Sequence, residues 1–465
     1  MNAWPPIGML YCTEVLMRER IEVSLLDQPA KGFSLNQTLN WVKKEDPDIL
    51  GLSVLNTAAK EASNVAEEVK RENPNITIVF GNYHPTFNAE RILNTYPSVD
   101  VIVRGEGEFT SLELARCLEK GGDLEEVRGI TFRKNGKVVS TPDRPLIKDV
   151  DSLPFPDRNL LEGQYTSSIL GVKVATKKFT TLVSSRGCPF SCTFCACRKF
   201  ARGVWRARSA DNIIEELEFL QSVGYEQFLF VDDNFTLDNK RVIELCRKIR
   251  KSHMDIEWFC DSRVDHVSYD MFREMVKAGC RCLYFGIESA NQRILDYYKK
   301  GITPEQAENA VRKARKAGVD VIVGSFIVGA PDETRREIKN TLKFIHKLDI
   351  DVPQVNALGV LKGTDVWDDL VARGFVDEDQ HWEKTVSVPR VSPLTVPMEE
   401  IKLMIYECFR EFYLRPKKLL NEILRTIKSP FRMAAVVNNI STYRVWGDTL
   451  RRGVGMRAQS RTQKD

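Results

Sequence analysis

Three cysteines, Cys188, Cys192 and Cys195, stand in the stretch Ser184-Ser185-Arg186-Gly187-Cys188-Pro189-Phe190-Ser191-Cys192-Thr193-Phe194-Cys195. Thiolates spaced C-x3-C-x2-C can all face one centre. Three of them suit an iron–sulfur cluster, [4Fe-4S], with one iron left without a protein ligand. An open coordination position separates a metal site that does chemistry from one that only holds a fold, a rule stated for zinc and carried over here. The apolar, β-branched run 179–183 places the cysteines on the loop leaving a strand, and Gly187 and Pro189 keep a helix from starting early. The same residues with Cys197 added allow a different reading, a four-thiolate zinc knuckle stapling a nucleic-acid-binding module.

With the aromatic Phe194 before its last cysteine, the motif resembles the signature of the radical S-adenosylmethionine (SAM) enzymes. The resemblance implies that the open iron binds the amino and carboxylate groups of SAM. An electron from the cluster then cleaves the sulfonium to methionine and a 5′-deoxyadenosyl radical, the protein positioning what the cofactors do. Behind the cysteines, in the family's order, come Arg206-Ala207-Arg208-Ser209, Asp232-Asp233-Asn234-Phe235, Asp261-Ser262-Arg263, Gly286-Ile287-Glu288-Ser289 and Gly329-Ala330-Pro331-Asp332-Glu333-Thr334. From these segments the resemblance implies SAM contacts at Phe194, Arg208, Asp232, Asp233, Arg263, Glu288, Ser289 and Gly329. Plain alternatives stand beside them: a helix N-cap for the acidic pair, a structural ion pair for Arg263, a solvated helix-entry charge for Arg208. Cys197 is expected to be a spectator, and no catalytic residue is assigned beyond the cluster.

These loops need a frame. Six apolar runs at 179–184, 227–231, 256–260, 281–287, 320–328 and 353–360 alternate with helical patterns, which predicts a partial (β/α)6 TIM-like barrel with its site at the strands' C-terminal ends. Ahead of it, strands Ile21–Leu26, Ile49–Val54, Ile76–Gly81 and Val99–Arg104 alternate with helices, which predicts an α/β, doubly wound parallel sheet. This region, through Pro5-Pro6-Ile7-Gly8, Pro47 to Ser53 and Gly105-Glu106-Gly107-Glu108, resembles the cobalamin-binding domain found ahead of many radical SAM enzymes. The resemblance implies cobalamin contacts at Ser53, Thr57, Gly81, His84, Gly105 and Glu106. The usual cobalamin loop reads D-x-H-x-x-G, whereas Asp27-Gln28-Pro29-Ala30-Lys31-Gly32 puts proline at the histidine position, so that loop offers the cobalt no lower ligand. The family's first apolar strand, which would precede Pro5, is missing, and the natural start is expected to lie upstream. The expected division is a cobalamin-binding-like domain over 1–125, a hairpin and Pro-rich connector over 126–175, the barrel over 176–375 and a helical extension over 376–465. In the extension, Arg410 to Pro416 resembles a C-terminal helix of the cobalamin-dependent group.

Composition narrows the class further. The 465 residues allow two or three domains. Eleven cysteines, an odd number, do not form a disulfide framework, and an iron–sulfur cluster needs reducing surroundings, which predicts a cytoplasmic protein. No apolar run approaches the ~20 residues of a membrane span. Residues 415–465 hold 12 Lys/Arg against 3 Asp/Glu, leaving the remainder acidic. Within them, 417–437 reads as a basic amphipathic helix. It either lies on an anionic membrane or packs on its own domain with a charged outer face. Arg451–Asp465 is expected to be disordered. The function expected is a cobalamin-dependent radical SAM enzyme acting on a small apolar or lipid substrate, served by a low-potential donor such as ferredoxin or flavodoxin, with no nucleic acid. A methylthiotransferase, and a relative that no longer binds cobalamin, are the alternatives; the first would need three more cysteines in the N-terminal domain, which holds only Cys12 and Cys117, and usually a β-rich RNA-binding C-terminus.

Overall fold

The computed structural model describes residues 4–163, 165–169 and 172–439; Arg451–Asp465 lies outside them. Strands β1 (Ile49–Ser53), β2 (Thr77–Gly81) and β3 (Val101–Val103) run parallel in that order. Alternation divides their side chains between two cores. Leu50, Ile78, Phe80 and Ile102 pack against helices Ala59–Glu72 and Tyr83–Thr95, while Val79, Val101 and Val103 pack on the other face with Leu114 of helix Glu108–Glu119.

This sheet departs from expectation twice. Ile21–Leu26 is extended but forms no strand. Among the described residues the run has no strand beside it to pair with, so its β propensity goes unused. The hairpin β4 (Ile130–Lys134) and β5 (Lys137–Ser140), expected in the connector, instead pairs antiparallel onto β3 and extends the first sheet. Its inward residues Ile130 and Phe132 complete the core around Val101 and Val103.

The six expected barrel strands all form: β6 (Phe179–Leu182), β7 (Gln227–Phe230), β8 (Glu257–Arg263), β9 (Cys280–Glu288), β10 (Val321–Val328) and β11 (Val352–Ala357), each parallel to the next. Phe228, Phe230, Trp258, Cys260, Leu283, Phe285, Ile322 and Phe326 face the outer helices, and Leu229, Phe259, Cys282 and Val323 face inward. Helix boundaries follow from capping: Thr303 and Gln306, and Thr334 and Glu337, close reciprocal capping boxes, and Gly318 ends its helix left-handed. From the C-terminal helix Pro430–Asn438, Phe431 plugs the barrel's N-terminal end, its ring 5.8 Å from Phe259. The connector is fastened by a buried triad, in which Glu216 takes Arg158 Nη2 at 2.7 Å and Arg208 Nη1 at 2.5 Å.

Candidate active site

The cluster loop is held at both ends. Gly187 has φ +83°, and a Cβ there would lie 2.2 Å from the Val204 carbonyl oxygen, so only glycine admits the crossing. Its N–H donates to Asp233 at 3.0 Å. Further on, Thr193 N–H donates to the Tyr298 carbonyl at 2.9 Å, its hydroxyl donates to the Tyr297 carbonyl, and its own carbonyl accepts from Val366. Within this frame Cys188 feels the charge of Cys195 and Cys192, and Cys192 that of Cys195. Arg263 Nη1 lies 3.8 Å from Cys192 Sγ, and Lys300 bears electrostatically on both Cys192 and Cys195. Three thiols on one loop, near enough to interact electrostatically and with two cations beside them, fit a [4Fe-4S] cluster, whose thiolates make it electron-rich. Among the described residues no three His, Cys, Asp or Glu side chains converge on a single-ion position. A cube needs no such convergence, because each thiolate binds a different iron. Cys197 is buried and hydrogen-bonds to Asp233 and to Cys195, and its bonds to Cys195 draw that thiol down to about 7.

The residues expected at SAM divide sharply. Asp233 stands at the open mouth of the barrel, with Cys197 and the Gly187 N–H on one side; crowding by protein raises its pKa. Phe194 lies edge-on to Tyr298 at 5.2 Å, with Lys300 Nζ over its ring. Glu288 pairs with Lys300 at 2.7 Å, both buried. This pair passes directly over Gly286, where a Cβ would sit 2.7 Å from Glu288 Oε1 and 2.8 Å from Lys300 Nζ. Glu288 holds φ +65° at a register shift between β9 and β10, the kind of bulge that re-aims a side chain. Arg263 reaches the Cys192 sulfur through one nitrogen only. Its fork grips Asp265 at 2.9 and 2.8 Å, and its guanidinium stacks on Phe190 at 3.7 Å.

Other expected contacts are engaged by structure. Asp232 accepts Ser184 N at 2.7 Å, Ser184 Oγ at 2.6 Å and Ser185 Oγ at 2.5 Å, fastening the cluster loop to β7. Arg208 is buried against Glu216, the Val183 carbonyl and Asn212. Ser289 bonds Thr341 and Asn291 in the outer helical layer. Gly329 has φ +85° and, with Ala330, donates to Glu333 Oε2 at 2.6 and 3.0 Å. Burial pushes Glu333 up to about 7 against those two bonds, and its Oε1 has no hydrogen-bond partner among the described residues.

The first domain's strand ends rest on this loop. Tyr83 stacks on Phe200, 4.2 Å between centroids, and its phenol is pushed up by burial and then by the charges of Asp233, Cys197 and Cys195. Glu106 accepts Arg206 Nη1 at 2.9 Å and the Ile147 N–H at 2.8 Å, and Glu108 takes Arg186 Nη2 at 2.6 Å. Glu106, expected at cobalamin, thus belongs to a clamp between the domains. A Cβ on Gly363 would lie 2.6 Å from Phe87, so the barrel rim touches the same helix. His84 is likewise not a free imidazole: it lies buried under Trp382, ring centroids 5.7 Å apart, and burial lowers its pKa to about 4. Ser53, accepting Asn82 Nδ2 at 2.9 Å, and Thr57 are exposed at the sheet's C-terminal edge, beside Gly81 and the left-handed Gly105. That edge can seat a flat cofactor, with no histidine from the Asp27–Gly32 loop to serve as lower ligand.

Sequence reading missed four residues. Lys300 and Tyr83 carry no local signal. Glu108 was visible in the Gly105 to Glu108 segment but not its partner. Asp261, inward on β8, turns its carboxylate to the lumen with no side-chain hydrogen bond or ion pair among the described residues; crowding by the barrel wall, then Asp232 and Asp233, push it up to about 7.

The profile of the Radical SAM superfamily matches residues 182–345, and that of the B12 binding domain matches residues 2–115. An uncharacterized methyltransferase of Pyrococcus horikoshii is 38% identical, the match covering 90% of each chain. The anaerobic magnesium-protoporphyrin IX monomethyl ester cyclase of Rubrivivax gelatinosus is 32% identical over 73% of this chain and 61% of that one. In structure, the radical SAM methyltransferase TsrM of Kitasatospora setae aligns with a TM-score of 0.69 at 20% identity, over 80% of this chain and 74% of that one. The chain belongs to the cobalamin-binding radical SAM enzymes, whose working groups are a [4Fe-4S] cluster, SAM and cobalamin.

Proposed function

We propose that the protein functionalises an unactivated carbon of an apolar substrate, such as an isoprenoid lipid or a tetrapyrrole, by C-methylation or by C–C or ring formation. The observation that carries the reading is the seating of the first domain's strand ends on the cluster loop, through Tyr83 on Phe200 and Glu106 and Glu108 on Arg206 and Arg186. A carbon that must meet two cofactors in turn needs both held on facing surfaces with water excluded. When bound, the cluster, SAM and cobalamin supply the electron, the radical and the methyl group.

The chain's own groups position them. Cys188, Cys192 and Cys195 hold the cluster. Asp233, open at the mouth, accepts from an ammonium there, and Lys300 and Arg263 keep positive charge beside the thiolates. Ser53, Thr57, Gly81 and Gly105 form the corrin's edge. The tetrapyrrole cyclase among the relatives supports a large apolar skeleton, and the unpaired Asp261 in the lumen suits one polar end on it. A ferredoxin- or flavodoxin-like protein is the proposed electron donor.

The test is anaerobic reconstitution with iron, sulfide and cobalamin, then SAM, a reductant, and isoprenoid lipids or a magnesium-protoporphyrin ester. The expected result is 5′-deoxyadenosine with a mass change in one substrate, both lost in Cys192→Ala. No 5′-deoxyadenosine from a fully loaded, reduced cluster would refute the proposal.

A further inference from the structure

Helix Pro416–Lys428 is mounted inside out. Its charged side faces the protein: Lys418 donates to the Ile350 carbonyl at 2.5 Å, Arg425 grips Asp349 at 2.7 and 2.8 Å, and Glu422 takes Arg432 at 2.7 Å. Arg432 and Arg315 then converge on the buried Asp351, each at 2.6 Å. The opposite side carries Leu419, Leu420, Ile423, Leu424 and Ile427, which are 46–66% exposed, and the helix buries no residue fully. At 100° per residue these five lie within one stripe about 140° wide. Leu414 before the helix and Val437 beyond it are also exposed, at 59% and 57%. An amphipathic helix packed on its own domain shows the reverse pattern, so the second of the two arrangements the sequence allowed is excluded by these contacts. Five clustered aliphatic side chains facing water mark an interaction surface.

We infer that this stripe inserts into an anionic bilayer surface. The charge beside it decides the occupant. Lys417 and Lys428 fall along one edge of the stripe, are exposed, and have no hydrogen-bond or ion-pair partner among the described residues. No acidic side chain lies on that face, since the helix's one carboxylate, Glu422, is turned inward. Aliphatic residues bordered by unpaired lysines match acyl chains under anionic headgroups. No helix among the described residues is long and apolar enough to cross a membrane, so contact of this kind is peripheral. The barrel is thereby held at the surface where an apolar substrate resides. The inference rests on the lipid reading above only for what the contact serves; the occupant follows from the stripe and its lysines.

The test is flotation of the full chain, cofactors loaded, with phosphatidylcholine vesicles with and without about 30 mol% phosphatidylglycerol. The expected result is binding to the anionic vesicles, reduced about tenfold or more by Leu420→Glu with Ile423→Glu. Lys417→Glu with Lys428→Glu should weaken binding and remove its salt dependence. Sedimentation velocity and thermal melting of the stripe variants cover the other occupants. A lipid-free dimer that the variants dissociate, or a loss of several degrees in melting temperature, would mean that protein covers the stripe, and would overturn the inference. So would no flotation of a folded protein. Release of 5′-deoxyadenosine without vesicles reports the chemistry separately, so membrane contact can fail while the proposed reaction stands.

Discussion

Arg186→Met tests whether the first domain is clamped to the cluster loop. Arg186 is 14% exposed and meets Glu108, 5% exposed, at 2.6 Å and Glu106 at 3.4 Å. Removing it leaves Glu106 with Arg206 and the Ile147 N–H, but leaves Glu108 without a cation. Breaking a buried pair on one side costs about 3–5 kcal/mol, and the partial exposure of Arg186 points to about 3. Replacing both partners, Arg186→Met with Glu108→Met, should restore most of that, because neither charge is then stranded. A chain of several domains need not unfold in one step, so the fitting assay is native-state hydrogen exchange at Gly187 and Arg208, whose amides donate to Asp233 and Ser184. Exchange there should rise about a hundredfold in the single variant and fall back in the double. A coupling below about 1 kcal/mol would refute the clamp, since exposed pairs reach that value. The pH dependence has a fixed sign. Burial alone would raise the Glu106 pKa, but the bonds from Arg206 and Ile147 and the nearby Arg186 outweigh it and lower it below 4.5. Its contribution is therefore present above that value and is lost as pH falls through the folded-state pKa.

Two further outcomes are expected. Gly187→Ala places a methyl group 2.2 Å from the Val204 carbonyl oxygen and 2.8 Å from Ala201 Cβ at φ +83°, so the loop must move. Iron and acid-labile sulfide per chain after reconstitution should fall severalfold, and content equal to the parent would contradict the packing. Glu333 is 1% exposed and pushed up from 4.5 to about 7, so the folded state holds its proton where the unfolded chain has released it. Stability should therefore decline as pH rises from about 4.5 to about 7, by up to about 3 kcal/mol. Glu333→Gln, which keeps the carbonyl oxygen for Gly329 and Ala330, should flatten that decline; an unchanged slope in denaturant titrations would assign it elsewhere.

The order of elements, the six barrel strands and the loop that carries the C-x3-C-x2-C spacing were legible in the chain itself. Alternation, capping and ligand spacing are local properties, set by residues within a few positions of one another. Pairing is not local. Ile21–Leu26 has strand propensity but no neighbour, and the Asn135-Gly136 hairpin is strong whichever sheet receives it. The same limit governed the site. Arg208 and Glu106 are charged residues in plausible places, but a charged group's role depends on which opposite charge it meets. Glu106 meets Arg206 across 100 residues of chain, and Arg208 meets Glu216 across the turn into the next helix, where Arg158 of the connector joins them. Lys300 became a cluster neighbour only because Thr193 is tied to Tyr298. The tail is the plainest case. Its sequence shows two faces, apolar and basic, and cannot say which one turns inward. Asp349 and Asp351 decided that, by offering carboxylates to Arg425 and Arg432 and so leaving the leucines outside.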